Sequence, residues 1–328
     1  MNDLAILYPL PKTQTEVDAM LKADALVGES TFQGDTIGIS YDNLRATAVR
    51  IDPCFGSACE PQLRIVMQPV AMGNAQDAAV HLTYGLSRDQ LASLLNDIVT
   101  ARGDTGDLGP LAPHPSLVAQ GLSGAFATSL KQILPKYAGN LERMTQFSLE
   151  LTGGLGNNDE AWELDSYTVA GGVATEHVIP ALESEGVTRM TISAATDPLV
   201  SNGSPASTSA DAFDKLANST GATHDQIQAA FTAALHVENP KLENADTIDC
   251  ASCHLAGPAI ELVGMPMGLT GDAFVPSSSI PPADLVRTTP LQDSGVLNIH
   301  AFSYRQNEPM INQRVLNDTA ASLAYLTE

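Results

Sequence analysis

The chain has 328 residues, room for two domains, with 16 basic against 38 acidic residues and a net charge of −22. A surface this acidic repels phosphate backbones and anionic lipid heads, which excludes nucleic acid as a partner and points to a basic or metal-bearing one. No apolar run reaches the length that spans a bilayer, so no transmembrane segment is expected.

The opening "MNDLAILYPLPK" lacks the charged start, apolar stretch and small-residue cleavage site of a signal peptide. "ATAVRIDPC", "PQLRIVMQPV" and "AAVHLTYGL" are β-rich runs and predict three strands. Cys54 and Cys59 flank a turn-like "FGSA" between the first two and are expected to form a disulfide, with free buried thiols as the alternative. Ser87 and Gln90 make a capping box ahead of Leu91, Leu94, Leu95, Ile98 and Val99 at helical spacing, stopped by Gly103. A second helix is predicted over Leu117 to Lys136. "NLERMTQFSLELTGG" and "AWELDSYTVAGG" alternate polar and apolar residues around a turn at "LGNNDE", and "VTRMTISAA" reads as one more strand. From Ala194 to Gly221 the composition turns to Ser, Thr, Ala, Asn and Gly, which marks a linker. Beyond it, Thr223 and Gln226 cap a helix with an apolar stripe from Ile227 to Leu235. The closing "LNDTAASLAYLTE" predicts a helix capped by Asn317 or Asp318. The boundary falls at 206/207, with an α+β domain of mixed α/β-sheet character over 1–206 and a smaller unit over 207–328.

The strongest chemical signal is Cys250 to Pro258, "CASCHLAGP". CxxCH arises by chance in about one shuffled chain in a thousand of this composition and is the attachment pattern of a c-type haem. Two thiols at i and i+3 share one side of a helical turn and can each bond to one porphyrin vinyl group, with His254 falling beneath the iron. A zinc site would have to recruit two further ligands, and a thiol redox pair belongs in a strand-to-helix context. No nucleophile elbow or phosphate-binding glycine loop accompanies the motif, and His81, His114, His177 and His224 read as surface or satisfied core residues.

On the CASCH motif, the closing helix ending in "LAYL" and Met310 placed 56 residues after His254, the last third of the chain resembles a class I c-type cytochrome. The resemblance implies a mainly helical cytochrome c-like domain, one covalent haem c on Cys250, Cys253 and His254, and Met310 as distal ligand. His300, Met265 and Met267 are the alternatives. It departs from the family where "VENPKLENADTID" separates the preceding helix from Cys250, and where Pro258 lies only four residues after His254. Haem c is attached outside the cytoplasm, so a bacterial periplasmic, cell-surface or secreted protein is expected, in its mature form with the export signal removed.

Three functions compete. An electron carrier needs only an exposed haem edge and a docking surface, here acidic and suited to a basic redox partner protein. A haem enzyme or small-ligand-binding protein, peroxidase-like or gas-binding, would keep an open distal iron site beneath the N-terminal domain. A binding module would recognise its partner through that domain and pass electrons through the haem.

Overall fold

The computed structural model describes residues 3–10, 44–55, 59–71, 73–104, 109–154, 160–176, 189–193, 200–202, 223–244, 248, 250–276, 280–293 and 296–327. Within them the chain opens with strands β1 (Ala5–Leu7), β2 (Leu44–Asp52), β3 (Gln62–Ala71), β4 (Asn74–Ala75) and β5 (Ala78–Gly85). Helices α1 (Arg88–Arg102), α2 (Pro115–Gln120) and α3 (Ala125–Tyr137) follow, then β6 (Met144–Gly154), β7 (Glu160–Ala170), β8 (Val173–Glu176), β9 (Arg189–Ser193) and β10 (Val200–Asn202). Among the described residues these ten strands form one sheet in the order β1-β2-β3-β5-β6-β7-β9-β10, with β4 beside β3 and β8 beside β7, and every pair is antiparallel.

Alternation along the strands gives the sheet two different faces. Val49, Ile51, Leu63, Ile65, Met67, Val80, Leu82 and Tyr84 turn to one side and pack against Leu94, Ile98, Phe126, Leu130 and Leu134 of α1 and α3. The neighbouring positions, among them Ala48, Val66 and Ala79, turn to the other side and bury Phe302, Tyr304, Ile311, Val315 and Leu316 of the C-terminal segment.

The remaining elements are α4 (His224–Val237), α5 (Cys250–Pro258) with a π-helical turn over Ala259–Gly264, hairpins β11 (Gln292–Asp293)–β12 (Val296–Leu297) and β13 (Phe302–Arg305)–β14 (Glu308–Ile311), and α6 (Gln313–Thr327). This corrects the expected fold class. The C-terminal region is not a mainly helical cytochrome c-like domain, and the N-terminal sheet is antiparallel throughout rather than a mixed α/β-sheet. The physical reason lies in "AFSYRQNEPMI": Phe302 and Tyr304 alternate with polar residues, Gln306 turns at φ 53°, and Pro309 is unsuited to a helix interior. The hairpin then docks on the sheet through side chains. Gln68 accepts from the Tyr304 amide at 3.0 Å and donates to its carbonyl at 2.8 Å, as a neighbouring strand would, and Thr47 and Ser303 share a hydroxyl bond of 2.8 Å.

Local expectations fare better. Both capping boxes form, at Ser87–Gln90 and Thr223–Gln226, and the Cys54–Cys59 disulfide is present with its Cα atoms 5.8 Å apart. The single helix expected over Leu117–Lys136 is two, broken where Gly121 takes φ 70° and Gln120 Oε1 turns back to accept from the Phe126 amide. The closing helix starts earlier than expected: Asn312 Oδ1 accepts from the Val315 amide, leaving Asn317 and Asp318 inside the helix and buried. The 206/207 boundary lies outside the described residues, as does most of the expected linker; Val200–Asn202 within it pairs with β9.

A buried ionic chain ties the C-terminal segment to the sheet. Arg50 on β2 meets Asp318 on α6 at 2.5 Å, Asp318 bonds Arg314 at 3.1 Å, and Arg314 donates to the carbonyls of Val237 and, at 2.6 Å, Glu243. Burial alone would raise the Asp318 carboxyl, but Arg314, Arg50 and Arg64 outweigh it and hold it near 2. Replacing Asp318 by Ala leaves two desolvated guanidinium groups without their shared anion. Asp318→Ala is expected to lower the unfolding free energy by about 3–5 kcal/mol, read from the urea midpoint, and a loss of well under 1 kcal/mol would show that the chain is not buried in solution.

Candidate functional site

The CASCH sequence folds as a helix against the sheet. α5 begins at Cys250, so Cys253 stands one turn on and His254 follows it inward. Leu255, Ala256, Ala259 and Ile260 behind the motif pack on Ile227, Phe231, Ala234 and Leu235 of α4. That packing turns the cysteine side of α5 toward the sheet, and between them lies a cavity of about 140 Å³ that opens to solvent. Cys250, Cys253 and His254 line it from α5; Arg50, Arg64, His81 and Glu150 line it from the sheet. His81 stands opposite Val66 on one neighbouring strand and Ser148 on the other, on the face away from α1 and α3.

His254 is buried, and its Nδ1 lies 2.5 Å from the carbonyl oxygen of Ile299. A carbonyl can only accept, so Nδ1 carries the proton and Nε2 keeps its lone pair for a metal. This carbonyl, brought from beyond the π-helical turn, orients the ring.

Facing it are two groups that the sequence did not single out. Glu150 is 5 % exposed, and its Oε1 makes no hydrogen bond. Its Oε2 stands 3.7 Å from His81 Nε2, and that buried nitrogen has no hydrogen-bond partner either. Burial pushes the Glu150 carboxyl up, but His254, His81 and His300 together outweigh it and bring it to about 2. The ring centroids of His81 and His254 are 6.4 Å apart with planes at 85°. One ligand atom from each of His81, Glu150 and His254 lies within 4.8 Å of the others, a set able to hold a metal ion.

The structure brings Cys250, Cys253 and His254 together and leaves the expected distal ligands outside the cavity lining. Met310 is buried on β14, its sulfur accepting from the Asn298 amide at 3.7 Å. His300 has Nδ1 2.8 Å from Asn298 Oδ1 and Nε2 2.6 Å from Asp77. Met265 and Met267 stand 61 % and 47 % exposed after the π-helical turn. The signal for the missed residues was in the strand patterns: "VHL" and "LEL" place one polar residue between apolar neighbours in a strand buried on both sides.

Burial of the Cys253 sulfur pushes its thiol up to about 11, which disfavours the thiolate that redox exchange or zinc binding requires. The donor set fits a covalent haem: two thiols a turn apart, an oriented imidazole, and a second imidazole whose buried nitrogen makes no hydrogen bond. No protein-family model, curated protein or solved structure matches the chain.

Beside the cavity, Glu238 is 5 % exposed and its Oε2 has no hydrogen-bond partner. Burial raises its carboxyl from 4.5 to about 7 despite the opposing pull of Arg314. A folded-state value above the unfolded one means that the folded protein holds a proton the unfolded chain has released. Stability is therefore greatest below about pH 4.5 as far as this group is concerned, and is lost as pH rises to about 7. The loss amounts to about 3 kcal/mol. Glu238→Gln is expected to remove this pH dependence in urea titrations at pH 5 and pH 8; an unchanged difference between the two would place the titration on another group.

Proposed function

We propose that the protein carries one covalent haem c, held by Cys250 and Cys253 with His254 as proximal ligand, and passes single electrons outside the cytoplasm. The observation that carries this reading is His254, which leaves a CxxCH turn with its Nδ1 anchored on the Ile299 carbonyl and lines the same cavity as both cysteines. When bound, a haem supplies a reversible one-electron couple. The chain's own residues tether it through two thioethers, fix the His254 ring, offer Arg50 and Arg64 to anionic groups and shield one side with the sheet. The Cys54–Cys59 disulfide suits an oxidising compartment such as a periplasm or cell surface. No helix among the described residues is long and apolar enough to cross a membrane. The net charge of −22 suits a basic redox partner, with part of the sheet-bearing N-terminal region serving as its docking surface.

A second reading is favoured by one observation, the close approach of His81, Glu150 and His254: two imidazoles and a carboxylate form the ligand set of a mononuclear divalent metal. The two readings separate on one measurement. The intact mass of the denatured protein is expected to exceed that of the polypeptide by one haem, and the colour is expected to stay with the protein through acid-acetone extraction. Colour lost to the solvent, or a divalent ion without haem, replaces the first reading by the second.

The carrier role has its own test. Attraction between oppositely charged surfaces speeds encounter and is screened beyond about 8 Å at physiological salt. Electron exchange with a small basic redox protein is expected to slow steeply as salt is raised, and exchange with an acidic one to quicken. Rates indifferent to salt, joined to rapid carbon monoxide binding and peroxide turnover by the reduced protein, would make it a haem enzyme or gas-binding protein.

A further inference from the structure

We propose that His81, on β5 of the N-terminal sheet, is the sixth ligand of the haem iron, opposite His254. The inference rests on the haem reading above and names the distal ligand from outside the C-terminal third altogether.

Three independent features converge on His81. Strand alternation turns it to the cavity face, where it lines the same space as Cys250, Cys253 and His254. Its Nε2 is buried without a hydrogen bond, with only the Glu150 carboxylate 3.7 Å away, an unsatisfied position that a ligand bond would fill. Its ring also stands at the right separation. Two imidazoles on opposite sides of one metal, each with its nitrogen about 2 Å away, have centroids about 6 Å apart. The observed distance is 6.4 Å.

The competitors are all committed elsewhere. Met310 has its sulfur on the Asn298 amide, both His300 nitrogens face polar partners, and Met265 and Met267 point to solvent. Glu150 shares the cavity with His81, but its carboxylate is paired with the two imidazoles: Oε2 lies 3.7 Å from His81 Nε2, and Oε1 lies 3.9 Å from His254 Nδ1, the nitrogen anchored on Ile299. A nitrogen ligand on each side also predicts a lower reduction potential than the methionine set, since the Met/His pair is the one that raises it.

The test uses the full haem-bearing chain, with intact mass taken first for every variant. Ferric wild-type protein is expected to be low-spin by electron paramagnetic resonance and resonance Raman, without the near-infrared charge-transfer band that marks sulfur on iron. His81→Ala, with its haem still attached by mass, is expected to turn high-spin and to return to low-spin on adding free imidazole. His81→Met guards against a variant that fails to mature; it is expected to gain the sulfur band and a higher midpoint potential. Met310→Ala and Glu150→Gln are expected to stay low-spin. A sulfur band in the wild type, a low-spin His81→Ala protein, or loss of the low-spin state in Glu150→Gln overturns the assignment of His81 while leaving the haem reading intact. Wild-type protein without the haem mass overturns both.

Discussion

The structure depends on a chain of charges that begins with a conflict. Arg50 and Arg64 stand directly opposite each other on β2 and β3, on the face that the C-terminal segment covers. Like charges in that position repel, and their burial adds a desolvation cost. Each is met by its own carboxylate: Asp52 reaches Arg64 at 2.9 Å from within the sheet, and Asp318 reaches Arg50 from α6. The second answer has to come from far along the chain. By requiring Asp318 the sheet fixes α6, and through Arg314 and Asn317, which donate to the carbonyls of Val237 and Glu238, α6 fixes the end of α4. α4 is the platform on which α5 and its CASCH turn rest.

The cavity is thus defined by two constraints that meet. From the sheet side, period-two alternation places His81 and Glu150 on the face opposite the main core. From the other side, the α4–α5 packing aims the cysteines and His254 downward. Ile299 closes the arrangement, its side chain in the α4–α5 cluster and its carbonyl on His254. A site of this kind cannot belong to a C-terminal cytochrome unit folding apart, because half of its lining comes from β2, β3, β5 and β6.

What the sequence made legible was local chemistry. The capping boxes, the strand runs, the disulfide and the CxxCH turn are each written in a handful of adjacent residues and depend on little else. Less legible was what distant packing decides. "LNDTAASLAYLTE" holds two good capping residues, Asn317 and Asp318, yet both are spent on buried partners across the chain, and Asn312 takes the cap. Met310 was read by its place relative to the final helix, a criterion that presumes the cytochrome fold; on a hairpin docked to a sheet the same spacing puts it against Asn298. His81 looked like any scattered histidine because its meaning lies in a register with a segment some 170 residues away.

Charge is distributed unevenly between the cavity and the rest of the chain. The protein is acidic overall, with 38 carboxylate residues against 16 cationic ones, yet Arg50, Arg64 and Arg314 gather at one cavity wall. The three guanidinium groups oppose a bare divalent cation at His81, Glu150 and His254 only as far as Asp52 and Asp318, already paired with them, leave their charge unscreened. The interior balances itself, with Arg50, Arg64 and Arg314 set against Asp52, Asp318 and Glu150, so the excess of carboxylates lies in the rest of the chain.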